Sequence, residues 1–230
     1  MTASLRAIAR EVVACRQCPR LVAWREEAAA HPPKRFRGQP YWARPLPAFG
    51  DAEARILVVG LAPAAHGGNR TGRIFTGDAS GDFLFRALHA AGLANQALSV
   101  SREDGLALFG TIVTAAARCA PPDNRPTPGE FETCRPFLER EMRALPELCV
   151  IVALGALAFG ETLRALRAAG ESVPRPLPRF AHAGEARVGK IALLGSYHPS
   201  QQNTFTGRLT PPMLEAVFRR ARELAGLSRR

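Results

Sequence analysis

The chain has 230 residues, of which 47% are hydrophobic and 22% are charged, a composition that is typical of a folded globular protein and argues against disorder. No run approaches 18 apolar residues and the first residues lack the apolar block of a secretory signal, so we expect a cytoplasmic protein without a membrane span. The formal net charge is +11, and because only Lys34 and Lys190 are lysines, 29 of the 31 cations are arginine. This excess predicts a polyanionic partner, of which nucleic acid is the most common.

Helical and strand-like patterns alternate along the chain. Residues 4–14 show helical spacing of apolar side chains, whereas residues 31–51 contain five prolines and the run KRFRGQPYWAR, which predict a loop. Thr127 and Glu130 form a capping-box pattern that predicts a helix over 128–144, and Thr210 is expected to cap the last helix. The other predicted elements are strands at 55–59, 111–115, 148–153 and 188–194 and helices at 82–91 and 156–169.

This alternation predicts an α/β fold in which four parallel strands form a central sheet with helices on both faces. Ligands of such sheets bind beyond the carboxyl ends of the strands. The loops expected there, at 60–84, 117–128 and 195–208, contain an aromatic ring, carboxylates, an amide and an imidazole, contributed by Phe75, Asp78, Asp82, Asn124 and His198. Such a set suits a base that is flipped out of a nucleic acid.

The five cysteines are candidates for metal ligation, because disulfides are uncommon in cytosolic proteins. Cys15 and Cys18 form a C-x2-C pair, while Cys119 and Cys134 bracket the loop that carries Asn124. The C-x2-C spacing suits zinc, although a zinc ribbon would prefer a second close pair, and here that pair is widely separated. Cys149 falls in an apolar strand and is interpreted as a buried free thiol.

Three segments resemble the signature segments of the type-5 uracil-DNA glycosylases, the iron–sulfur branch of the uracil-DNA glycosylase superfamily. They are GLAPAAHGGNRTGRIFTGD, RCAPPDNRPTPGEFETC and the strand-end YHPS. The resemblance implies a single three-layer α/β/α domain over 1–230 with a four-stranded parallel sheet. It also implies a structural [4Fe–4S] cluster that ties the N-terminal helix and loop (1–50) to the rest. Zinc remains the alternative metal. The implied cluster ligands are Cys15, Cys18, Cys119 and Cys134.

The activity that the resemblance implies is hydrolysis of the N-glycosidic bond of uracil, and of other deaminated or modified bases, in DNA. Phe75 would stack on the base, Asp78 would activate water, Asn124 would bind near the sugar, and His198 would donate a hydrogen bond to the leaving base. Other interpretations remain open: Phe75 as a core residue, Asp78 as a helix N-cap with Asp82 as its competitor, and Asn124 as a turn cap. The expected lining of the base pocket is Gly60, Ala62, Pro63 and His66.

Several polar residues beside these segments are expected to contact DNA. Arginine offers a planar, multidentate donor for phosphate, so we expect such contacts at Arg70, Arg73, Arg125 and Arg208. The stretch after His198 is where relatives place a wedge into the duplex, and its candidates are Gln201, Gln202 and Phe205.

The two lysines bear on the reaction class. A glycosylase that also cuts the DNA backbone needs an amine for a Schiff base, and neither Lys34 nor Lys190 lies in a signature segment. We therefore predict a monofunctional, monomeric enzyme that leaves an abasic site. The alternatives are a non-catalytic, metal-stabilised nucleic-acid-binding module and an iron–sulfur redox protein. The missing dinucleotide fingerprint disfavours the redox protein.

Overall fold

The structure is a computed structural model and describes residues 2–228. It contains eight α-helices and six strands within that range, and two short 3-10 turns at Lys34–Phe36 and Pro122–Asn124. The helices are α1 (Ala3–Ala14), α2 (Pro19–Ala30), α3 (Gly68–Thr71), α4 (Ala79–Ala90), α5 (Pro128–Arg143), α6 (Ala156–Ala168), α7 (Gln201–Phe205) and α8 (Pro211–Leu224). The strands are β1 (Phe49–Gly50), β2 (Ile56–Gly60), β3 (Thr111–Ala115), β4 (Val150–Leu154), β5 (Glu185–Val188) and β6 (Ile191–Ser196).

The strands form one mixed sheet in the order β1-β3-β2-β4-β6-β5. Its four central strands are parallel, as the sequence predicts, and every residue of β2, β3, β4 and β6 is buried. Burial on both faces explains why these strands are continuous apolar runs rather than alternating ones. The sheet is wider than expected because β1 and β5 add an antiparallel strand at each edge.

Helices cover both faces of the sheet, which confirms the three-layer α/β architecture. Along β2, Ile56 and Val58 pack on one face against a cluster that includes Leu88 of α4 and Phe218 of α8. On the other face, Leu57 belongs to a second cluster with side chains of α1, α5 and α6, including Leu5, Leu138 and Leu166. No helix in the described part of the chain is long and apolar enough to cross a membrane.

Two sequence predictions need correction. The segment 188–194 is a hairpin rather than one strand, because the chain turns at Gly189, with a φ of 55°, and Lys190 between Val188 and Ile191. The loop predicted for 31–51 also contains the strand β1 at its end. In addition, α2 has no counterpart among the predicted elements, and it begins directly after Cys18 with Pro19 at its first position.

The capping box at the start of α5 is present as predicted. The Thr127 hydroxyl accepts from the backbone N–H of Glu130 at 3.3 Å, and the Glu130 carboxylate accepts from the backbone N–H of Thr127 at 2.7 Å. Arg20 of α2 donates to the same carboxylate at 2.8 and 2.7 Å. The N-terminal region is therefore joined to α5 by a two-pronged ion pair.

Candidate active site

The loop that follows β2 places an aromatic ring directly against the end of the strand. A Cβ atom at Gly60 would lie 2.6 Å from the ring of Phe75, so only glycine allows this close approach. Phe75 is buried, with 7% of its surface exposed, and its backbone has a φ of 52°. A positive φ in an aromatic residue is strained, and such strain is concentrated at functional sites.

His198 follows β6 and lies beside this ring. The ring centroids of Phe75 and His198 are 6.1 Å apart at an interplanar angle of 35°. Burial lowers the pKa of His198 to about 4, although the side chain keeps a partly exposed edge. At physiological pH the imidazole is therefore neutral and carries one N–H donor.

The backbone around His198 is fixed by its neighbours. The Asn203 side-chain amide donates to the His198 carbonyl at 2.8 Å, and Gly155 at the end of β4 approaches the His198 Cβ so closely that a Cβ of its own would lie 3.3 Å away. A cavity of about 270 Å³ opens here between the ends of β4 and β6. Its lining includes Leu61, Ala156, Leu157, Phe180, Tyr197, His198, Asn203 and Arg208.

Asp78 caps α4 and at the same time closes the Gly-rich loop. One carboxylate oxygen accepts from the backbone N–H of Gly81 at 2.9 Å, and a Cβ at Gly67 would lie 1.9 Å from the other. Burial raises the pKa of Asp78 above its usual range, and the nearby Asp82 raises it further. Asp78 is thus the helix N-cap that the sequence offered as an alternative interpretation. Its second carboxylate oxygen faces the Gly-rich loop.

Asn124 lies in a strained turn on the surface. Asp123 and Asn124 have φ values of 53° and 55°, and both side chains are exposed. In the described residues no hydrogen bond joins the Asn124 side chain to Phe75, Asp78 or His198. The fold therefore brings the rings of Phe75 and His198 together, while Asn124 lies exposed on the neighbouring loop.

The other expected lining residues differ in their surroundings. His66 shares a hydrogen bond of 2.9 Å with the Tyr41 hydroxyl, and its pKa is lowered by burial and then by Arg35 and Arg70. Ala62 packs beside a small apolar cluster that includes Phe131, and Pro63 is buried.

Four cysteines converge on one small cavity between α2 and α5. Its lining includes Cys15, Cys18, Cys119 and Cys134, as the sequence predicts for a shared site. Within residues 2–228, however, no three His, Cys, Asp or Glu side chains are already arranged as ligands of one ion. Burial raises the pKa of the Cys119 thiol to about 12, so the metal-free chain holds it protonated.

Donors surround these sulfur atoms. Arg25 donates to Cys119 Sγ at 3.1 Å, and the backbone N–H of Arg118 donates to Cys134 Sγ at 3.4 Å. Such hydrogen bonds stabilise a thiolate and are typical of the surroundings of metal-bound sulfur.

Comparison with known proteins decides the family. The model of the uracil DNA glycosylase superfamily matches residues 47–222. Relatives named type-5 uracil-DNA glycosylase include one from Mycobacterium bovis, 54% identical over 215 residues (93% of this chain and 79% of that protein). Another, from Thermus thermophilus, is 51% identical over 222 residues (96% and 98%), and one from Pyrobaculum aerophilum is 46% identical over 215 residues (94% and 91%).

The chain belongs to the type-5 uracil-DNA glycosylase family. The signature segments that carry the resemblance are those that surround β2, β3 and β6 at their carboxyl ends. Family membership and geometry therefore point to the same edge of the sheet.

The arginines expected to contact DNA in this glycosylase fall into two groups. Arg73 is buried, and its guanidinium pairs with Asp104 at 2.9 and 2.6 Å and donates to Ser99 at 2.7 Å. This burial does not fit the predicted phosphate contact, because the donors are already used inside the protein. Arg70 is also engaged internally, since it donates to the carbonyls of His66 at 2.9 Å and Gly77 at 3.1 Å.

The second group is exposed. Arg125 and Gln201 lie on the surface, and Arg208 stacks over the ring of Tyr197 at 4.5 Å at the mouth of the cavity. Phe205, at the end of α7, is 79% exposed. The side chains at these positions are therefore accessible to a binding partner.

The sequence reasoning missed three supporting residues of the glycosylase site. Asn203 anchors His198, and His182 stacks on Tyr197 with ring centroids 4.9 Å apart while accepting from its backbone N–H at 3.2 Å. Arg25 contacts the cysteine site from a helix that had not been predicted. The position of Asn203 five residues after His198 could have indicated a turn-closing amide, but His182 and Arg25 are brought in only by the tertiary fold.

Proposed function

We propose that this chain hydrolyses the N-glycosidic bond of uracil, and of other deaminated or modified bases, in DNA and leaves an abasic site. The observation that carries the proposal is the pairing of a neutral His198 with a strained Phe75 at the carboxyl ends of β6 and β2. In a member of the type-5 uracil-DNA glycosylase family, this pair supplies a ring to stack on a flipped base and a donor for its departing charge.

His198 acts by hydrogen bonding rather than by proton transfer. Negative charge develops on the base as the bond to the sugar breaks, and a preorganised N–H donor stabilises it in a site with little water. The lowered pKa keeps the imidazole neutral, and a neutral imidazole still has the one N–H donor that this role needs. Asn203 and Gly155 hold the backbone in place for this role.

Asp78 is proposed to orient the attacking water and to stabilise the positive charge on the sugar. One of its oxygens is held by Gly81, which fixes the carboxylate, while the other faces the loop beside Gly67. Asn124 would join the site from the neighbouring loop near the sugar. Asp82, one turn into α4, is the competing water activator.

A Schiff-base mechanism lacks a suitable amine. Lys190 lies in the turn before β6, at the opposite end of the strand from His198, and Lys34 is exposed in the early loop. The proposed reaction is therefore direct attack of water on C1′ of the sugar, without cleavage of the backbone.

Cys15, Cys18, Cys119 and Cys134 are proposed to hold a [4Fe–4S] cluster that ties residues 1–50 to the catalytic core. Their shared cavity and the N–H donors on two of the sulfur atoms support a metal–thiolate centre at this place. Bound there, the cluster would link the N-terminal helices with the loop that carries Asn124. A brown protein that contains iron and acid-labile sulfide is expected, whereas a colourless protein that contains zinc would overturn this assignment.

We further propose that the partner is DNA and that the protein acts as a cytoplasmic monomer. The exposed Arg125, Gln201 and Arg208 would contact the DNA backbone around the flipped base. Phe205 is the best-exposed candidate for the wedge.

The test is excision of uracil from a labelled oligonucleotide that contains one uracil. Alkali then cuts the strand wherever an abasic site has formed. Wild type should yield product only after alkali, and His198→Ala should reduce the single-turnover rate by about 10²–10³-fold, the usual effect of losing one such donor. His89→Ala, at an exposed position on α4, is the matched control and should keep the wild-type rate.

Three outcomes would contradict the proposal in different ways. Binding without excision would favour the non-catalytic module, and cleavage without alkali would contradict the monofunctional mechanism. Full activity of His198→Ala would remove His198 from the chemistry.

A further inference from the structure

The early loop and the segment between α4 and β3 together place arginine side chains over aromatic rings on an exposed surface. We name it the arginine–aromatic surface and define it by Arg35, Phe36, Trp42, Arg44 and Arg102. We propose that it binds the phosphate backbone of the DNA that flanks the base site. This inference rests on the proposed function, because it extends the DNA contact of the same enzyme.

The arginines of this surface are held in a geometry that suits phosphate. The Arg35 guanidinium lies 4.7 Å from the ring centroid of Phe36, and Arg102 lies 4.3 Å from that of Trp42. Arg44 approaches the same indole at 5.7 Å. The attraction between a guanidinium and an aromatic ring does not use the N–H groups as donors to oxygen, so they can still bind phosphate oxygens.

Their charges are not neutralised within the protein. All three arginines are exposed, and in the range 2–228 none of them has a carboxylate within ion-pair distance. On α8, by contrast, Arg219 pairs with Glu215 at 3.0 Å and Arg220 pairs with Glu185 at 2.6 Å. A cation that neutralises a phosphate releases the counterions condensed on the DNA, and an arginine already paired with a carboxylate is less available for this.

The surface is continuous with the candidate active site. Arg70 lies 4.3 Å from the Phe36 ring centroid and donates to the carbonyl of Gly77, the residue before Asp78. The backbone N–H of Trp42 donates to the Arg70 carbonyl at 3.0 Å. A strand that leaves the base pocket on this side would therefore meet the stacked arginines next.

Salt dependence of binding to uracil-free duplex DNA tests this surface. The association constant for DNA falls as salt rises, and each phosphate contact contributes about 0.9 to the magnitude of the slope of log K against log salt. Arg35→Gln combined with Arg102→Gln should therefore reduce that magnitude by about 1.8. Arg219→Gln combined with Arg220→Gln removes the same formal charge from paired positions and should leave the slope near the wild-type value.

Equal slopes for the two double variants would overturn the inference. If the first double variant does not fold, Arg44→Gln is used instead. It should reduce the magnitude of the slope by about 0.9, and an unchanged slope would overturn the inference. Failure of the proposed function is distinguishable, because it would show as wild-type protein that binds DNA with the expected salt slope but does not excise uracil.

A second, independent observation concerns a buried cation beside the cysteines. Arg25 is 2% exposed, and no carboxylate of the described residues lies within ion-pair distance of it. Among residues 2–228, its guanidinium donates only to Cys119 Sγ at 3.1 Å and to the Cys15 carbonyl at 3.5 Å, and its Nε finds no hydrogen-bond partner there. An unpaired charge in the interior is strongly unfavourable.

Arg118 provides the comparison. It is equally buried, but Glu141 accepts from its guanidinium at 2.6 Å and balances its charge. Glu26, the neighbour of Arg25 in the chain, pairs instead with Arg16 at the surface. The atoms that face Arg25 are therefore sulfur and a carbonyl oxygen rather than a carboxylate.

We infer that Arg25 is the counter-charge of the metal–thiolate centre. Four thiolates around a [4Fe–4S] core or a zinc ion leave a net negative charge, and the guanidinium balances it while donating to Cys119. Arg25 is thus a positioning residue of the centre that the proposed function assigns to the four cysteines.

Release of metal from the purified holoprotein to a chelator tests this role. Arg25→Met, which keeps an unbranched side chain but not the charge, should release metal about 10–100-fold faster than wild type, whereas Arg25→Lys should stay closer to wild type. Arg219→Met is the matched control, because it removes a cation that pairs with Glu215 on α8 and does not touch sulfur. Its release rate should equal that of wild type.

The outcomes distinguish the metal centre itself from the counter-charge role of Arg25. Wild type purified without iron or zinc would overturn the metal centre and Arg25's role together. If wild type contains metal but Arg25→Met releases it no faster, the counter-charge role is wrong and the metal centre stands. The same holds if Arg25→Met and Arg25→Lys release metal equally fast. If Arg25→Met does not fold, release of metal from Arg25→Lys that is also about 10–100-fold faster than from wild type would contradict the counter-charge, because lysine keeps the positive charge.

Discussion

The chemistry of His198 follows from its position at the end of a buried strand. Because the surrounding protein excludes water, the charged form is disfavoured and the pKa falls from 6.5 to about 4. The side chain therefore remains a neutral hydrogen-bond donor throughout the physiological range. Burial is therefore compatible with the proposed role of His198 as a neutral hydrogen-bond donor.

The lowered pKa predicts how pH affects stability. The unfolded His198 binds a proton below about pH 6.5 and the folded one only below about pH 4, so the free energy of unfolding should decrease as pH falls between these values. The full loss is roughly 3 kcal/mol. Urea unfolding of wild type and His198→Asn across this range measures it, and the variant should show a clearly smaller loss.

Some pH dependence should remain in that variant, because burial also lowers the pKa of His66 and His182. Excision by wild type should vary little from about pH 5.5 to about pH 8 as far as His198 is concerned. A decline of the rate with a midpoint near pH 6.5 that disappears in His198→Asn would contradict the neutral-donor mechanism.

The Arg73–Asp104 pair makes a second prediction at the scale of single residues. Burial raises the pKa of Asp104, but the hydrogen bonds from Arg73 and from backbone N–H groups outweigh it and bring the value to about 2. Asp104→Asn would leave a buried guanidinium without its counter-charge and should reduce the free energy of unfolding by about 3–5 kcal/mol.

Denaturant unfolding checks this value, with Glu215→Gln as the control. Glu215 forms a more exposed pair with Arg219, so its loss should reduce stability by no more than about 1 kcal/mol. Equal effects of the two substitutions would show that Arg73 does not depend on Asp104.

Among the elements, the Gly-rich loop after β2 determines the shape of the site. Glycines within it and at its two ends permit contacts that no other residue allows: Gly60 of β2 against Phe75, Gly67 against Asp78, and Gly81 of α4 against the Phe75 carbonyl. The loop is therefore a rigid, interlocked element. Its composition reflects close packing at three places rather than flexibility.

Gly60→Ala tests this packing. The new methyl group would lie 2.6–2.7 Å from the Phe75 ring and displace it from the base site, since β2 cannot move within the sheet. Loss of a stacking contact of about 1–3 kcal/mol should lower kcat/KM for uracil excision by at least about fivefold.

Gly129→Ala is the matched control, because a Cβ at Gly129 would meet nothing within 4 Å. Its kcat/KM should equal that of wild type. A Gly60→Ala enzyme with unchanged kcat/KM would mean that the position of the Phe75 ring does not limit the reaction.

The elements also show what the sequence could predict. The four parallel strands and α5 were predictable, because buried apolar runs and a complete capping box are local signals. The break at Gly189 and Lys190 was not, since the apolar residues on both sides read as one strand. Likewise α2 was missed because Arg25 is buried within it, which interrupts the apolar pattern of a helix that faces the core.

For the site, the signature segments identified Phe75 and His198, whose rings the fold brings together. The same segments suggested a phosphate contact for Arg73, yet that side chain is buried. A residue type near a motif does not reveal which way its side chain points. Only the distant partner Asp104 determines that direction, and no local pattern encodes it.

At the scale of the whole molecule, the proposed metal centre joins parts of the chain that are far apart in sequence. Cys15 ends α1, Cys18 caps the start of α2, Cys119 follows β3, and Cys134 lies on α5. Metal removal should therefore affect this junction and spare the sheet, whose core is formed by two separate apolar clusters.

Hydrogen exchange before and after chelation checks this expectation. Backbone amides of α2 and of residues 117–120 should exchange faster in the metal-free protein, and those of the four central strands should not change. Cys149→Ser, outside the cysteine site, should keep the wild-type pattern. Loss of protection throughout the sheet would show instead that the metal supports the entire fold.

The ion pair between Arg20 and Glu130 has a consequence for biogenesis. It fastens α2 to α5 without help from any metal, and Glu11 with Arg140 does the same for α1. Insertion of the proposed cluster would therefore meet N-terminal helices that are already attached to α5, and loss of the cluster would not by itself detach them.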